Sequence, residues 1–547
     1  MMRSTAVTIL GLALATAAAA QTLPAAQQQR IGAAFQGFNA HTPGCVVAVS
    51  EHGHQVFARG YGMASLESGT PLTPASVLEI GSVSKQFTAA SIFLLQQAGR
   101  LSLGEPVRRT LPGWPAYAHP VTIRELLHHT SGVRDVIQLM EMSGIPAADF
   151  ATMPDALALI ERQQALNFAP NTRYMYSNAG YVLLAEIVQQ VSGEPLNEFA
   201  AQHIFRPLGM THTRIVVNHD LVIPGRTRTY APRGRGGWRL DVSPWEQGGD
   251  GGVNTTVGDL ELWAANFWHP NPRVGGARLI QQMETRGVLN DGRTIAYAGG
   301  LFVDRYRGLR RVWHDGSWQG FRAQLALFPQ PQVALVTLCN AANANPAARS
   351  RKMAAIVLGP ELGPAAAQAA APVASAAQRA AYQGWYWSAG DYDLRRVSVR
   401  GGALRLRPMP GASVRLRAAG PGRFRAGTDT YVFQTRKSAR QLRDETSGEV
   451  LEREPAAAYT GAQLQALTGP YYAPALQVRW VVARKGNGLE LETFGANPNR
   501  LDTDHVYAMR PAIAGVFTAG PYLVETDRAG LKVSAGRADG IRFQKSR

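Results

Sequence analysis

The sequence predicts an α+β domain built around one antiparallel sheet, followed by two small all-β antiparallel barrels. Three observations carry this. Strand-like runs bracket a helix-rich middle over residues 21–358. A Pro/Ala-rich stretch, GPELGPAAAQAAAPVASAAQ, interrupts the chain at 359–378 and reads as a linker. Beyond it, almost every segment is a short alternating run with a Gly turn, and the pattern repeats. A chain of 547 residues with 45% hydrophobic and 17% charged side chains is globular and too long for one ordinary domain.

The elements follow in order. MMRSTAVTILGLALATAAAA places one Arg before a short apolar run that ends in alanines, which is the pattern of a secretory signal over residues 1–20. GCVVAVSEHGHQVFARGYG (44–62) reads as a hairpin, two strand-like runs around a Gly-containing turn. LEIGSVSKQFTAASIFLLQQAG has helical periodicity starting at Ser82 or its neighbour and stopping at Gly99. Further helices are expected over 121–133, from Asn178 to Val191 with a stop at Gly193, and over 259–267. From Leu309 three strand-like runs form a meander that the amino-terminal hairpin can join. After the linker, AAYQGWYWSAGDYDLRRVSV begins at Ala380 and LQALTGPYYAPALQVRWVV at Leu464, each with an aromatic-rich start and alternating strands. The expected barrels span 379–458 and 459–547.

Bulk properties exclude several classes. The formal net charge is +17, yet the arginines are scattered and the densest patch, Arg226–Arg239, is short, so no nucleic-acid partner is expected. A positive field suits anionic envelope polymers instead. No CxxC, HExxH or Cys/His cluster occurs, so no metal is expected. His128 and His129, on an apolar helix end, read as structural. No GxSxG elbow, P-loop or Rossmann glycine pattern is present, and no cofactor is expected. An exported protein can bridge Cys45 and Cys339, but nothing in the sequence brings them together; the expectation is two buried thiols in strands.

One stretch points to chemistry. Of 56 basic residues only six are lysines, and Lys85 is the only one before Lys352. It lies three residues after Ser82, one helical turn away. A serine hydroxyl is a weak nucleophile until a neighbour takes its proton. Lysine can do so when desolvated, whereas arginine cannot. Ser82 at the helix start also meets the positive end of the helix dipole. Tyr176-Ser177-Asn178 precedes the next long helix; the tyrosine can share the proton and the asparagine can hold the lysine. Asn178 is also a natural helix cap. His314-Asp315-Gly316-Ser317 lies on the first meander strand, where Gly316 permits close backbone approach. The N–H groups of Ser82 and Ser317 can then form an oxyanion hole.

In this order, GSVSKQFTAA, VTIRELLHHTSGV, APNTRYMYSNAGYVLLAEIV, GGDGGVNTTVGDLELW and WHDGSWQGF resemble the serine β-lactamase-like family over roughly residues 30–345. That family includes class C β-lactamases, DD-carboxypeptidases, esterases and D-aminopeptidases. The resemblance implies a β-lactamase-like fold, Ser82 as nucleophile, Lys85 and Tyr176 as proton handlers, Asn178 in the site, and His314 and Gly316 on the edge strand. Two departures stand out. Pro170-Asn171 replaces the usual Pro-Gly, which implies a local turn change. His-Asp-Gly replaces Lys-Thr-Gly, which argues against efficient β-lactam hydrolysis.

A β-lactamase-like domain followed by two barrels resembles the three-domain D-aminopeptidases, in which a loop of the last barrel reaches the site. The matching stretch is FGANPNRLDTDHVY, 494–507. An aminopeptidase needs an anion for the substrate ammonium; Asp250, Asp315, Asp502 and Asp504 are the candidates. The expectation is therefore an exported, periplasmic or secreted serine hydrolase, possible as a homodimer, acting on small amides or peptides with D-residues. Short-chain esters, peptidoglycan peptides with weak β-lactamase action, and a non-catalytic envelope binder are the alternatives.

Overall fold

The computed structural model describes residues 22–364 and 374–546, apart from 112, 147–148, 247, 428, 437 and 496–503. The expected signal segment and the middle of the expected linker lie outside the described residues. Six antiparallel strands form the central sheet: β1 (Cys45–Glu51), β2 (His54–Tyr61), β3 (Phe302–Tyr306), β4 (Leu309–Trp318), β5 (Phe321–Phe328) and β6 (Val333–Cys339), in the order β3-β4-β5-β6-β1-β2. The expected hairpin and meander thus join through β1 and β6. CVVAV is buried on both faces, which is why it reads as an unbroken apolar run rather than an alternating one.

Helices cover both faces of the sheet. On one side α1 (Ala25–Ala34) and α6 (Pro346–Val357), neither expected from the sequence, pack Ile31 and Met353 against Val47 and Leu335. The larger core on the other side gathers α2 (Lys85–Gln97), α4 (Asn178–Ser192) and α5 (Val257–Ala265), with Phe87 against Trp263. The helix expected over 259–267 starts two residues earlier, because Thr256 caps it by accepting from the Asp259 N–H. The helix expected over 121–133 keeps only Ile123–Leu127, opened by a Thr122/Glu125 capping box; the chain then leaves helical geometry at His129, whose φ is +57°. Gly193 ends α4 in the left-handed region, as expected.

The two cysteines are not free thiols. Cys45 and Cys339 are register partners on β1 and β6 and form a disulfide. Only the pairing of strands from opposite ends of the domain brings them together.

The carboxy-terminal strands form two sheets. Nine strands between Gly384 and Glu454 make a nearly closed barrel whose edge strands, Val414–Arg415 and Arg417–Gly420, are chain neighbours not hydrogen-bonded to each other. Eight strands from Gly469 to Lys545 close completely around Trp480, Phe517 and Phe543. Closure removes the exposed edges that short alternating strands otherwise leave. Leu139 and Met142, on α3 (Val136–Met142) of the first domain, belong to this last barrel's core.

The final hairpin, β7 (Gly530–Ala535) and β8 (Ala538–Lys545), is docked on the first domain through its backbone. The Asp135 N–H and Asn167 Nδ2 both donate to the Arg537 carbonyl, at 3.1 and 2.9 Å. Arg134 Nε donates to the Asp539 carbonyl at 2.9 Å. Among the described residues, no helix is long and apolar enough to cross a membrane.

Candidate active site

A cavity of about 340 Å³ opens where the sheet edge, the start of α2 and the tip of the last hairpin meet. Its lining includes Ser82, Tyr176, Asn178, Asp250, His314 and Arg537. A 3₁₀ turn, Gly81–Ser84, precedes α2 and presents a half-buried Ser82. Two glycines let this turn press against β4. A Cβ on Gly316 would fall 1.8 Å from the Ile80 carbonyl oxygen, and one on Gly81, whose φ is +49°, would fall 2.7 Å from the Ser317 nitrogen. The Ser82 and Ser317 backbones are thereby brought side by side.

Lys85 starts α2 one turn later and is fully buried. Its Nζ donates to Ser82 Oγ at 3.1 Å, Asn178 Oδ1 at 2.8 Å and the Asp250 carbonyl at 2.7 Å. Burial pushes the ammonium below the usual lysine value, while the carboxylates of Asp250 and Asp135 pull it back up. The Asp250 segment is fixed against α2 by two bonds: Thr88 Oγ1 donates to the Gly249 carbonyl at 2.7 Å, and the Val253 N–H donates to Ser84 Oγ at 3.1 Å.

Asn178 opens α4 but does not act as its cap residue; that position is Ser177. The Asn178 backbone N–H and Nδ2 instead donate to Asp135 Oδ2, at 2.7 and 2.9 Å, which turns Oδ1 toward Lys85. Tyr176 is half-buried with its hydroxyl inside, its ring 4.9 Å below Lys85 Nζ and 4.1 Å from the His129 ring. Its hydroxyl lies beside Ser82 without a hydrogen bond of ordinary geometry. Burial holds the phenol well above its usual value, only partly offset by Ser82, so it keeps its proton. His129 also orders the Tyr-Ser-Asn segment, its Nδ1 accepting from the Ser177 N–H at 3.1 Å.

On β4, His314 points inward. Its Nδ1 donates to the Asp315 carbonyl at 2.5 Å, which leaves Nε2 to accept from the Tyr297 hydroxyl at 3.2 Å. Burial lowers its pKa to about 3, so the ring is neutral and supplies no positive charge. Asp315 lines the cavity, and its carboxylate takes the Gln324 Nε2–H at 2.6 Å. Asp250 is nearly buried, with Oδ1 lacking a hydrogen-bond partner; burial holds its carboxyl above the usual range. Glu79, also on the cavity wall, is raised by burial to about 7 despite Arg226.

The structure thus gathers Ser82, Lys85, Tyr176, Asn178, Asp250, His314, Asp315, Gly316 and Ser317 around one cavity. Asp502 and most of the 494–507 loop lie outside the described residues. The last barrel reaches the site through the β7–β8 tip, where Arg537 joins the lining. Sequence reasoning missed Asp135, Tyr297 and Arg537. Asp135 is one residue before a short helix and carries no motif. Arg537 is one of 50 arginines; its only local signal is the Gly536 turn.

The beta-lactamase family profile matches residues 26–359. A D-aminopeptidase of Cereibacter sphaeroides (strain ATCC 17023) is 27% identical over 463 residues, 82% of each chain. Penicillin-binding protein 4* of Bacillus subtilis (strain 168) is 31% identical over 314 residues, 54% of this chain and 67% of that one. In fold, the chain is similar to an octameric penicillin-binding protein homologue from Pyrococcus abyssi, with a TM-score of 0.55 and 20% identity over 85% of this chain and 96% of that one.

Proposed function

Since the chain belongs to the beta-lactamase family and is a serine hydrolase, we propose that it works as a D-aminopeptidase-like amidase or peptidase on small amides and peptides bearing a D-residue. One observation carries the chemistry: a fully buried lysine amine hydrogen-bonds the Ser82 hydroxyl at 3.1 Å. A lysine lowered by burial can be the neutral amine that serine activation needs.

The steps follow from the charges. Ser82 Oγ attacks the substrate carbonyl and its proton passes to Lys85. The oxyanion is held by the N–H groups of Ser82 and Ser317, which the close approaches of Gly81 to Ser317 and of Gly316 to Ile80 support. The C–N bond then breaks. Tyr176, which keeps its proton, gives it to the leaving nitrogen and is reprotonated from Lys85. Water attacks the acyl-enzyme, the acid leaves, and Ser82 recovers its proton. On the acyl side, Asp250 receives the substrate ammonium. Its unpartnered Oδ1 supports this, because an incoming cation supplies the partner and favours the ionised carboxylate.

The D-residue preference rests on the relative that matches across 82% of both chains. Export is supported by the disulfide, since such bonds persist in oxidising compartments. The neutral His314 supports poor β-lactam turnover, because it offers nothing to a substrate carboxylate.

The test is a panel of D- and L-amino acid amides, with intact-mass measurement after a fluorophosphonate. Wild type should cleave D-amides and gain one adduct, and Ser82→Ala should do neither. Preference for L-amides would overturn the stereochemical reading; activity in Ser82→Ala would overturn the mechanism.

A further inference from the structure

The last hairpin does more than close off the cavity. Arg537 stands at its tip with the guanidinium carbon 5.5 Å over the Tyr176 ring, and it lines the cavity that holds Ser82. Its Nη2 pairs with Asp135 Oδ1 at 3.2 Å. That carboxylate is heavily shared: Oδ1 also accepts from the Gln138 N–H, and Oδ2 takes both bonds from Asn178. A guanidinium carries five N–H donors in a rigid fork. Asp135 uses only part of it, and Nε is buried with no hydrogen-bond partner. Donors left over in a cavity wall, on a side chain that cannot lose its charge, suit a planar anion.

The position tells which anion. Asp250 carries the negative charge for the acyl side of the substrate, whereas Arg537 stands over the phenol that protonates the leaving nitrogen. We propose that Arg537 binds the α-carboxylate of the amino acid released on the leaving side. The preferred substrate is then a short peptide with a free carboxyl terminus immediately after the scissile bond, not a simple amide. This rests on the peptidase reading above for its direction, but recognition of the carboxylate stands on the geometry of the hairpin. The guanidinium is a specificity determinant contributed by the barrel, and it reaches the site only because the backbone of Arg537 is anchored to Asp135 and Asn167.

The experiment uses the full chain and a matched pair, D-alanyl-glycine and D-alanyl-glycinamide, which differ in the terminal charge. Wild type should favour the free acid in kcat/KM. In Arg537→Gln the acid-to-amide ratio should fall about tenfold, chiefly through the KM of the acid, as expected for losing a charge-assisted pair. Arg537→Lys should recover only part of the ratio, because it keeps the charge without the fork. The ratio is internal to each protein, so a smaller folded fraction leaves it unmoved. A ratio unchanged by Arg537→Gln would overturn the proposal.

A second readout separates this from the peptidase reading. Each compound is used to protect Ser82 from a fluorophosphonate. If wild type cleaves neither compound yet the acid protects better, and Arg537→Gln abolishes that difference, the peptidase reading fails and carboxylate recognition stands. Equal protection by acid and amide in wild type overturns carboxylate recognition, whether or not either compound is cleaved.

Discussion

Asp135, from the first domain, and Arg537, from the last hairpin, meet at 3.2 Å beside the cavity that Arg537 lines. Asp135 is fully buried and does three things at once: it caps α3, fixes Asn178, and pairs with the tip of the last barrel. Asp135→Ala leaves the Asn178 N–H groups and the guanidinium without their acceptor. Unsatisfied buried donors and a broken ion pair should cost on the order of 3 kcal/mol. Urea denaturation checks this; a loss below about 1 kcal/mol would show that the pair is not structural.

Lys85→Arg separates charge from basicity. The guanidinium keeps a positive charge near Ser82 but cannot accept its proton. Turnover of a D-amide should fall by roughly 10³-fold, the range for losing a general base. Activity within tenfold of wild type would assign the proton to another group.

Lys85 also sets the pH dependence. Burial pushes it down to about 8, and the reaction needs the neutral amine, so kcat/KM should rise with pH and level off above that value. His314, held neutral down to about 3, should add no step near its ordinary value. A profile flat from pH 6 to 10 would remove Lys85 as the base. A second inflection near 6.5 that disappears in His314→Gln would contradict the neutral histidine.

Gly316→Ala places a methyl 1.8 Å from the Ile80 carbonyl oxygen, in rigid backbone. The 3₁₀ turn carrying Ser82 must move away from β4, separating the two N–H groups proposed for the oxyanion. The acylation rate should fall by about 10²-fold or more, the scale of losing one such donor. Phosphonylation of Ser82 by a fluorophosphonate, in which fluoride leaves and the phosphoryl oxygen occupies the same hole, reads this by mass, and a normal rate would place the oxyanion elsewhere.

The disulfide closes a loop between residues 294 apart in sequence. Replacing Cys45 and Cys339 together by serine should cost roughly 2–5 kcal/mol, because the unfolded chain regains that loop's freedom. Both residues lie away from the cavity lining, so the D-amide kcat should stay within about twofold of wild type, while Tm falls. An equal Tm with and without reductant would mean that the bond contributes nothing.

Much of the site was legible because its chemistry is local. Ser82 and Lys85 sit one helical turn apart, and only a lysine there makes sense in a chain that otherwise uses arginine. Tyr176 and Asn178 are fixed by a single segment, and His314 to Ser317 by a single strand. The helix ends at Gly99 and Gly193 were equally visible, since left-handed stops favour one residue type. Helix α1 was not, because AAQQQRIGAA has little amphipathic pattern and is held by packing on the sheet.

By itself, then, the sequence determined the strand and helix periodicities, the reactive Ser82–Lys85 pair and the repeat that builds two barrels. These depend on spacings of a few residues, which backbone geometry turns into positions on one face. Tertiary structure alone decided what spans tens to hundreds of residues. It joined Cys45 to Cys339 by strand register, placed Asp135 behind Asn178, and chose the β7–β8 tip to carry Arg537 to Tyr176. Each of these depends on which surfaces bury against one another, and burial between distant segments leaves no periodic mark on either one.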